Sequence, residues 1–390
     1  MKKKVLLIST TSSMIKHFNM DNIKILQNLG ATVYVGTNFK APGSITESGS
    51  EEFKKKLEKM GVFCFQVDFK RRVGSLKSNI HVIKQIRKII KENNIDGLHV
   101  QSPLGGVLGR IAAHKMNVKV LYTVHGFQFF SGGSKKDWIL YYPVERFLSR
   151  WCNALVTINT NDFKIAQKFP TRVFYIPGVG TNIIESQSIP FEKRRKERAV
   201  IRNKLGVSKD DFLILSVGEL NKNKNHQLVI RAIKKLDNPK IKYVIAGTGN
   251  GRKDLENLIH TLGLEKQVKL LGYINNLDGL YFAADLNVFV SKREGLGFGG
   301  LDGVSHGLYI VGNSNTGMKD YILNEKIGQM IDDPNDVDQL VSMLTKIIKK
   351  HPRISKDQNK YFEKYDRKNV NQIMKSIYKN TFFSEELETK

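Results

Sequence analysis

The sequence predicts an α/β protein with two doubly wound, Rossmann-like halves, because three observations agree. Short apolar segments alternate with amphipathic stretches along most of the chain, which is typical of parallel strands covered by helices on both faces. The alternation stops once, between Glu185 and Arg202, and then restarts. A chain of 390 residues is also long for one hydrophobic core, since about 150 residues per domain is common.

The first half contains seven predicted strands and helices between them. Ile83, Ile86 and Ile90 form a stripe at helical spacing, which indicates one of these covering helices. The predicted strands are Val5 to Ile8, Thr32 to Val35, Val62 to Val67, Gly97 to Val100, Val118 to Thr123, Ala154 to Ile158 and Val173 to Ile176.

The second half contains six predicted strands after an interruption rich in charge. Pro190 and the run Lys193 to Arg198 predict a linker or a solvated helix there. We therefore predict domains at residues 1–185 and 205–365, joined by a linker at 186–204. The six strands are Phe212 to Val217, Tyr243 to Ala246, Val268 to Leu271, Leu286 to Val290, Leu308 to Val311 and Gly328 to Ile331.

The chain is strongly basic, with 63 Lys and Arg against 37 Asp and Glu and a net charge of +26. Nucleic acid, an anionic membrane, acidic ligands or a plain solvated surface would each account for it. Cys64 and Cys152 lack metal-ligand spacing and are expected to be reduced thiols. The N-terminal apolar run is too short for a signal peptide or a membrane span. We expect a cytoplasmic protein with, at most, peripheral membrane contact.

The segment Ser291 to Asp302 is the most informative part of the chain. It follows a buried strand and precedes a short helix predicted from Leu301 to His306, which Gly307 can end. Glycines let a ligand approach the backbone, and a helix N-terminus attracts phosphate. Glu294 and Asp302 bracket this turn and are suited to binding sugar or ribose hydroxyls.

The same turn also fits a dinucleotide fingerprint, since Gly295, Gly297 and Gly300 satisfy G-x-G-x-x-G. That motif should begin where the strand ends and should be followed by an acid at the end of the next strand. Here four residues intervene, and the next strand ends at Gly312 and Asn313. The pattern therefore disfavours a dinucleotide site without excluding it.

Two further glycine turns follow predicted strands in the second half. Gly218 precedes Lys222 and Lys224, whose ammonium groups can neutralise a phosphate, although a surface loop with lysines is the plain alternative. The third turn runs from Gly247 through Gly249 to Gly251. Three such turns at strand carboxyl ends are better explained by one shared ligand than by three unrelated loops.

In the first half, candidate side chains also follow strands. His125 follows the fifth strand and can donate a hydrogen bond to a sugar hydroxyl or a leaving group, though a lone histidine is often structural. Asp336 and Asp338 spell a D-x-D, but acids in a first helical turn are ordinary, and we expect no metal site. The acceptor-side candidates are Ser12, Ser13, His17, Gln101 and Ser102.

Together these residues resemble the retaining glycosyltransferases of family 4, which have the two-domain GT-B fold. The resemblance rests on Glu294 to Asp302, and on the preceding Val217 to Leu220, Ala246 to Gly249 and Leu271 to Ile274 in the family's order. Tyr122 to Phe130 resembles the bacterial subgroup of capsular and exopolysaccharide assembly.

The resemblance implies two domains facing across a cleft, and roles for particular residues. Lys224 would pair with the donor diphosphate, Asp302 would bind the ribose, and His125 would lie at the reacting sugar. The final segment, 366–390, would return to the first domain. The implied catalytic residues are His125, Glu294 and Lys224, and the implied donor-binding residues are Gly218, Glu219, Lys224, Gly249, Tyr273, Ile274, Glu294, Gly295, Gly297, Phe298, Gly299, Gly300, Leu301 and Asp302.

Three departures from the family pattern matter. Asp302 stands where glutamate is usual, Glu219 stands where arginine is common, and the loop from Thr10 to Met14 lacks the usual glycines. A carboxylate at Glu219 would repel phosphate, which places more weight on Lys224.

The resemblance implies transfer of a sugar, with retention, from a nucleotide sugar such as a UDP-sugar, without a metal or other cofactor. The expected acceptor is a polyprenyl-diphosphate-linked glycan at the inner membrane face. A non-catalytic partner of another transferase is the alternative that the departures motivate. Nucleic-acid binding is a third class, supported by charge alone, since no basic recognition helix or interleaved aromatic pattern is present.

Overall fold

The computed structural model describes residues 2–70, 73–130 and 132–384, which form two compact units. The first unit runs to Gly180 and resumes at Lys368, and the second spans Thr181–Arg367. Each unit contains one all-parallel sheet with helices, so the predicted α/β class is confirmed.

In the first unit, seven strands pair in the order β3-β2-β1-β4-β5-β6-β7. They are β1 Lys4–Ile8, β2 Thr32–Thr37, β3 Phe63–Gln66, β4 Gly97–Gln101, β5 Lys119–Val124, β6 Ala154–Thr157 and β7 Arg172–Tyr175. The helices are α1 Ser12–Phe18, α2 Met20–Asn28, α3 Glu47–Lys59, α4 Leu76–Asn93, α5 Pro103–Ala113, α6 Lys135–Leu148 and α7 Thr160–Ala166, with a 3₁₀ turn at Ser149–Trp151.

In the second unit, six strands pair in the order β10-β9-β8-β11-β12-β13. They are β8 Phe212–Val217, β9 Ile241–Ala246, β10 Val268–Gly272, β11 Leu286–Val288, β12 Ile310–Asn313 and β13 Gly328–Ile331. The helices are α8 Ile183–Ser188, α9 Phe191–Leu205, α10 His226–Leu236, α11 Arg252–Thr261, α12 Asp278–Ala283, α13 Phe298–Ser305 and α14 Val337–Lys350, with 3₁₀ segments at Gly317–Asp320 and Lys356–Tyr365.

The predicted strands all occur, with ends shifted by one or two residues. Strand β12 is shifted by two residues at both ends and begins at Ile310 rather than Leu308, which pairs instead in an isolated bridge with Arg353. The short helix predicted from Leu301 begins three residues earlier, at Phe298. Gly297 adopts a left-handed conformation at its N-cap, with φ +79°, so Gly299 and Gly300 lie in the first helical turn and not before it.

The charged segment between the two predicted domains is helical, which was one of the two predicted alternatives. It forms α8 and α9 and packs into the second unit instead of forming a separate linker. Arg202 is buried and donates to the Asp285 carboxylate at 3.0 Å, and Arg198 donates to the same carboxylate at 2.6 Å. Asp285 also accepts from the Leu213 backbone N–H at 2.8 Å. Two arginines of the apparently solvated run therefore fix α9 to the start of β8.

The chain after α14 returns to the first unit through α15, Arg367–Tyr378, which continues into a π-helical turn at Lys379–Phe383. The Tyr378 hydroxyl lies 2.8 Å from Nδ1 of His99, a buried residue of β4. The Phe382 ring packs against Gly97, where a Cβ would lie 2.8 Å from the ring. These contacts hold the C-terminal segment against the centre of the first sheet.

Removing the Asp285 charge should destabilise the second unit. Burial raises the pKa of Asp285, but the Leu213 amide and the guanidinium groups outweigh it and hold the pKa below its usual range. Asp285→Asn leaves buried guanidinium charge unpaired, so we expect a loss of about 3–5 kcal/mol in the free energy of unfolding. The difference in the free energy of unfolding between the wild type and Asp285→Asn should be complete above about pH 4. It should fall as the pH drops further, because the Asp285 carboxylate binds its proton at a higher pH in the unfolded chain than in the folded one.

Urea unfolding followed by circular dichroism measures this difference. Asp210→Asn, at an exposed position in the same unit, is the matched control and should change stability by less than about 0.5 kcal/mol. Equal stabilities of the two variants would contradict the role assigned to Asp285.

Candidate active site

The three glycine turns of the second unit lie at one edge of its sheet. They follow β8, β9 and β11, which are neighbouring parallel strands, so their carboxyl ends meet at that edge. The strand order reverses between β8 and β11. Open α/β sheets bind ligands at such a reversal. The turns therefore lie together at a position that suits a ligand, and their sharing of one ligand stays a prediction.

Glycine is required in these turns because their backbones touch. A Cβ on Gly247 would lie 1.9 Å from the Gly218 carbonyl oxygen, and one on Gly249 would lie 2.4 Å from that of Leu220. A Cβ on Gly299 would lie 2.9 Å from the Val217 carbonyl oxygen. The loop after β8 is thus enclosed between the other two turns, and part of the glycine pattern serves this packing.

Lys224 and Glu294 form an ion pair across the reversal of strand order. The Lys224 Nζ lies 2.6 Å from Glu294 Oε1, and both side chains are largely buried. The ammonium group also lies over the Phe289 ring, 4.6 Å from its centre. Two side chains that are 70 positions apart in sequence therefore meet. That they serve one shared ligand stays a prediction.

Backbone bonds hold the two loops that carry this pair. The Lys292 N–H donates to the Asn223 carbonyl oxygen at 2.8 Å, and the Gly317 N–H donates to the Glu294 carbonyl oxygen at 3.2 Å. The Asn225 amide donates to the Val290 and Pro334 carbonyl oxygens. Lys224 and Glu294 are consequently presented from a fixed frame.

The N-terminus of α13 lies beside the pair and carries most of the predicted donor residues. Gly295 precedes the helix, Gly297 caps it, and Phe298 to Leu301 form its first turn. The Tyr321 hydroxyl donates to the Gly297 carbonyl oxygen at 3.0 Å, which fixes the cap. The first amides of a helix have no carbonyl partner within it, and they favour an anion.

Asp302 lies one turn into α13 and has an unusual environment. Burial, followed by the charge of Asp278, raises the pKa of Asp302 to about 7. Its carboxyl makes no hydrogen bond to a side chain or backbone group within the described part of the chain. A carboxyl that carries a proton near neutral pH can both donate to and accept from a hydroxyl.

The remaining donor candidates lie along the same edge. Gly218 packs against the Lys224 side chain, and Glu219 directly follows it. Tyr273 is exposed after β10, while Ile274 packs partly against the core beside Leu280. The Gly272 carbonyl oxygen accepts from the Gly247 N–H at 2.8 Å, which places the loop after β10 next to the second glycine turn.

In the first unit, the carboxyl ends of β1, β4 and β5 are neighbours at the reversal of strand order. His125 follows β5, and its Nε2 lies 2.7 Å from Oε1 of Gln101, the last residue of β4. The side-chain amides of Gln101 and Asn19 donate to each other's oxygen atoms. Gln101 Oε1 therefore accepts from the Asn19 amide as well, at 3.1 Å. Gln101 Oε1 can only accept, so Nε2 of His125 carries the proton.

This arrangement changes the role predicted for His125. Its Nδ1 is buried, beside a small cavity lined by Phe18, Asn22, Val370 and Met374, and has no partner among the described residues. Burial lowers the pKa of His125 to about 4. The imidazole is therefore neutral at physiological pH, and its Nδ1 can accept a hydrogen bond but cannot donate one.

The other acceptor-side candidates are engaged within the protein. The Ser12 hydroxyl bonds to that of Ser50 at 2.8 Å, and the Ser13 hydroxyl to that of Thr11 at 3.1 Å. Ser102 caps α5 through the Gly105 N–H, with a sparsely populated backbone conformation at φ +65° and ψ 153°. His17 lies exposed on α1, and its ring packs against that of Phe18, with 6.2 Å between the ring centres. Of the five candidates, Gln101 is the one with a hydrogen bond to His125.

Sequence patterns did not reveal several residues of these sites. Phe289 and Tyr321 support the Lys224 and α13 region, and Asn19 orients Gln101. The buried His99 joins Thr123 at 2.8 Å to Tyr378. For His99, the sequence signal of a buried role was its position as a polar residue within an apolar strand.

Metal binding finds no support in the side chains of residues 2–70, 73–130 and 132–384. No group of three or more His, Cys, Asp or Glu side chains there has a geometry for metal binding. Asp336, from the D-x-D pattern, instead caps α14 by accepting from the Gln339 N–H.

Comparisons with known proteins agree with this geometry. Residues 197–369 match the family model of glycosyl transferases group 1, and residues 4–159 match that of the glycosyl transferase 4-like proteins. The chain is 32% identical over 340 residues to the putative glycosyltransferase EpsD of Bacillus subtilis, covering 85% of this chain and 84% of that protein. The chain belongs to the family 4 glycosyltransferases. Its predicted membership is thereby confirmed, and glycosyltransferase is its enzyme class.

A second relative and two solved structures extend the comparison. The chain is 29% identical over 291 residues to the UDP-Gal:alpha-D-GlcNAc-diphosphoundecaprenol alpha-1,3-galactosyltransferase of Escherichia coli, covering 70% of this chain and 73% of that enzyme. The structure of Anabaena HepE in complex with UDP and glucose superimposes with a TM-score of 0.75 at 19% identity, covering 97% and 100% of the two chains. Sucrose-phosphate synthase from Thermosynechococcus elongatus superimposes at 0.78, with 15% identity and 98% and 100% coverage. These likenesses confirm the GT-B fold class.

The tautomer of His125 can be tested directly. Nitrogen-15 NMR of the family 4 glycosyltransferase should show neutral His125 with the proton on Nε2 from pH 8 down to near pH 4. Gln101→Leu removes the acceptor but keeps similar bulk, so the preference for the Nε2 proton should weaken. Gln27→Leu, the same replacement on α2, is the control and should leave the His125 signals unchanged. Titration of the wild-type ring near pH 6.5, its ordinary value, would contradict this assignment.

Proposed function

We propose that this glycosyltransferase moves a sugar, with retention at the anomeric carbon, from a UDP-sugar to a polyprenyl-diphosphate-linked glycan. The observation that carries the proposal is the Lys224–Glu294 ion pair beside the N-terminus of α13. A cation, a carboxylate and free helical amides at one strand reversal match the diphosphate and the hydroxyls of a nucleotide sugar.

The ion pair explains how the site is ready before the donor arrives. Glu294 holds the Lys224 ammonium at the edge of the sheet, so its side chain is ordered in advance. A donor diphosphate would compete for that ammonium, and the released Glu294 carboxylate would then accept from sugar hydroxyls. Asp302 would bind the ribose hydroxyls.

The chemistry requires stabilisation of a departing nucleoside diphosphate. Fixed positive charge and amides aimed at charge as it develops supply the largest share of such catalysis. Lys224 and the first turn of α13 are the groups that would act without a metal. In the first unit, the accepting Nδ1 of His125 would orient a sugar hydroxyl.

Relatives support the substrate classes. The name of the Escherichia coli relative specifies UDP-Gal as donor and a diphosphoundecaprenol-linked sugar as acceptor. The structural likeness to HepE, which was solved with UDP and glucose, is consistent with the same donor class. We extend both classes, and a role in capsular or exopolysaccharide assembly, to this chain.

We also propose that the protein works at the inner membrane face, where a polyprenyl acceptor resides. Within the described residues, no helix combines the length and apolar character needed to cross a bilayer. The net charge of +26 favours an anionic lipid surface, and each Lys or Arg near it contributes about 1 kcal/mol.

A non-catalytic partner of another transferase remains the second candidate, because Asp302 and Glu219 depart from the family pattern. The purified chain alone decides between the two. Donor hydrolysis or sugar transfer by this chain excludes the partner role, whereas donor binding without turnover, with and without acceptor, supports it.

Replacing Lys224 should lower catalysis strongly and leave the fold intact. Lys224→Ala is expected to lower turnover by about 10²–10³-fold, the usual effect of losing one such charged donor. Release of UDP from a UDP-sugar is the measurement. Lys235→Ala is the matched control, since Lys235 also pairs with a carboxylate, Asp338, at 2.6 Å in the same unit. Turnover near the wild-type value in Lys224→Ala would refute the assignment.

A further inference from the structure

Helix α6 of the first unit carries a contiguous apolar surface that faces solvent. Ile139 is 77% exposed, Leu140 60%, Phe147 50% and Val144 43%. Pro143 is exposed between them. Isolated exposed apolar residues are ordinary, but five on one helix mark a contact surface.

The packing of α6 explains why these residues point outward. Glu145 and Leu148 are buried, and Trp138 and Tyr142 pack on the first core. Leu140, Val144 and Phe147 follow one another at helical spacing on the opposite side. We call the exposed residues Ile139, Leu140, Pro143, Val144 and Phe147 the α6 face.

Exposed basic side chains surround the α6 face, and the two acidic side chains of the helix are buried or half-buried. The basic residues Lys135, Lys136, Arg146 and Arg150 are exposed around it. The Glu145 carboxylate instead lies beneath the helix, bound to the buried Arg110 at 2.7 Å. Asp137 is the one remaining acid of the helix, and it is half-buried.

Helix α4 adds charge on the same side of the sheet. Right-handed crossovers place α4, α5 and α6 on one side, and Arg87 of α4 donates to carbonyl oxygens of α5. The outer side of α4 exposes Leu76 and Ile80 at its start. Its exposed lysines are Lys77, Lys84, Lys88 and Lys91; the neighbouring Arg71 and Arg72 lie outside the described residues.

We infer that the α6 face inserts into the interfacial region of an anionic lipid bilayer, with the lysines of α4 at the headgroups. The inference rests on the membrane location in the proposed function and identifies the surface responsible. An apolar strip bordered by basic residues is the pattern of helices that lie in the interface, about 5–10 Å deep. Lysine and arginine stems can follow it while their charges stay at the phosphates.

Charge favours lipid over a protein partner as the occupant. A protein partner would have to match an apolar strip with an acidic border on both sides, whereas an anionic bilayer offers hydrocarbon and phosphate at any orientation. Binding should therefore need anionic lipid and should weaken with salt, while the apolar part of the contact should resist salt.

The tryptophan fluorescence of the chain can be used for the test. Trp151 lies against the Phe147 ring, with 5.3 Å between the ring centres, and so adjoins the proposed contact, whereas Trp138 lies on the core side of α6. Vesicles of phosphatidylglycerol and phosphatidylcholine, with and without brominated acyl chains, give both affinity and insertion depth. We expect binding and bromine quenching with phosphatidylglycerol vesicles, and little of either with pure phosphatidylcholine.

Two sets of variants make the assignment specific. Ile139→Ser, Leu140→Ser and Phe147→Ser combined should weaken vesicle binding by about tenfold or more, because the buried apolar area is lost. The matched control combines Ile184→Ser, Phe191→Ser and Val200→Ser, three exposed apolar residues beside the basic run of the second unit, and should bind as the wild type does. Circular dichroism checks the folding of both.

Every outcome of this experiment decides the inference. Unchanged binding by the α6 variant, equal loss in the control, or no wild-type binding to anionic vesicles would overturn it. A change of oligomeric state in the α6 variant by light scattering, without a change in vesicle binding, would assign the face to a second copy instead. UDP release from a soluble donor, measured on the same samples, tests the proposed function separately and should be the same in all three proteins.

Discussion

The second unit depends on the close approach of three loops at one edge of a parallel sheet. The Gly218 and Leu220 carbonyl oxygens occupy the space that side chains at positions 247 and 249 would need, and the first turn of α13 rests on the end of β8 through Gly299. Such contacts are possible only where there is no Cβ. They bring together the loops that carry Lys224 and Glu294, so the charged pair forms on a frame that backbone packing provides.

A largely buried ion pair contributes little net stability, because desolvation offsets most of its attraction. The Lys224–Glu294 pair is therefore better understood as a means of positioning. Each partner keeps the other at the sheet edge, and in the proposed function a diphosphate would replace the carboxylate as the partner of the ammonium. The cation–π contact with Phe289 holds the ammonium from a second direction.

Strand positions and glycine turns were predictable because both depend on local sequence, namely short apolar runs and residues without side chains. The role of α9 was not, since Arg198 and Arg202 appear solvated until Asp285, more than 80 positions away, is folded beneath them. The α6 face was hidden for a similar reason: apolar residues occupy both sides of that helix, and only tertiary packing decides which side is covered. The Tyr378–His99 contact joins residues 279 positions apart, beyond any local pattern.

His125 shows how such distant contacts change chemistry as well as position. The sequence offers a histidine after a strand, which favours a donor or an acid. The reciprocal amide pair of Asn19 and Gln101 presents Oε1 to the imidazole, and this commits Nε2 as the donor. Burial then prevents a second proton from binding near neutral pH. What remains at Nδ1 is a fixed lone pair, so a sugar hydroxyl placed there must donate, and the oxygen of that hydroxyl gains electron density instead of losing it.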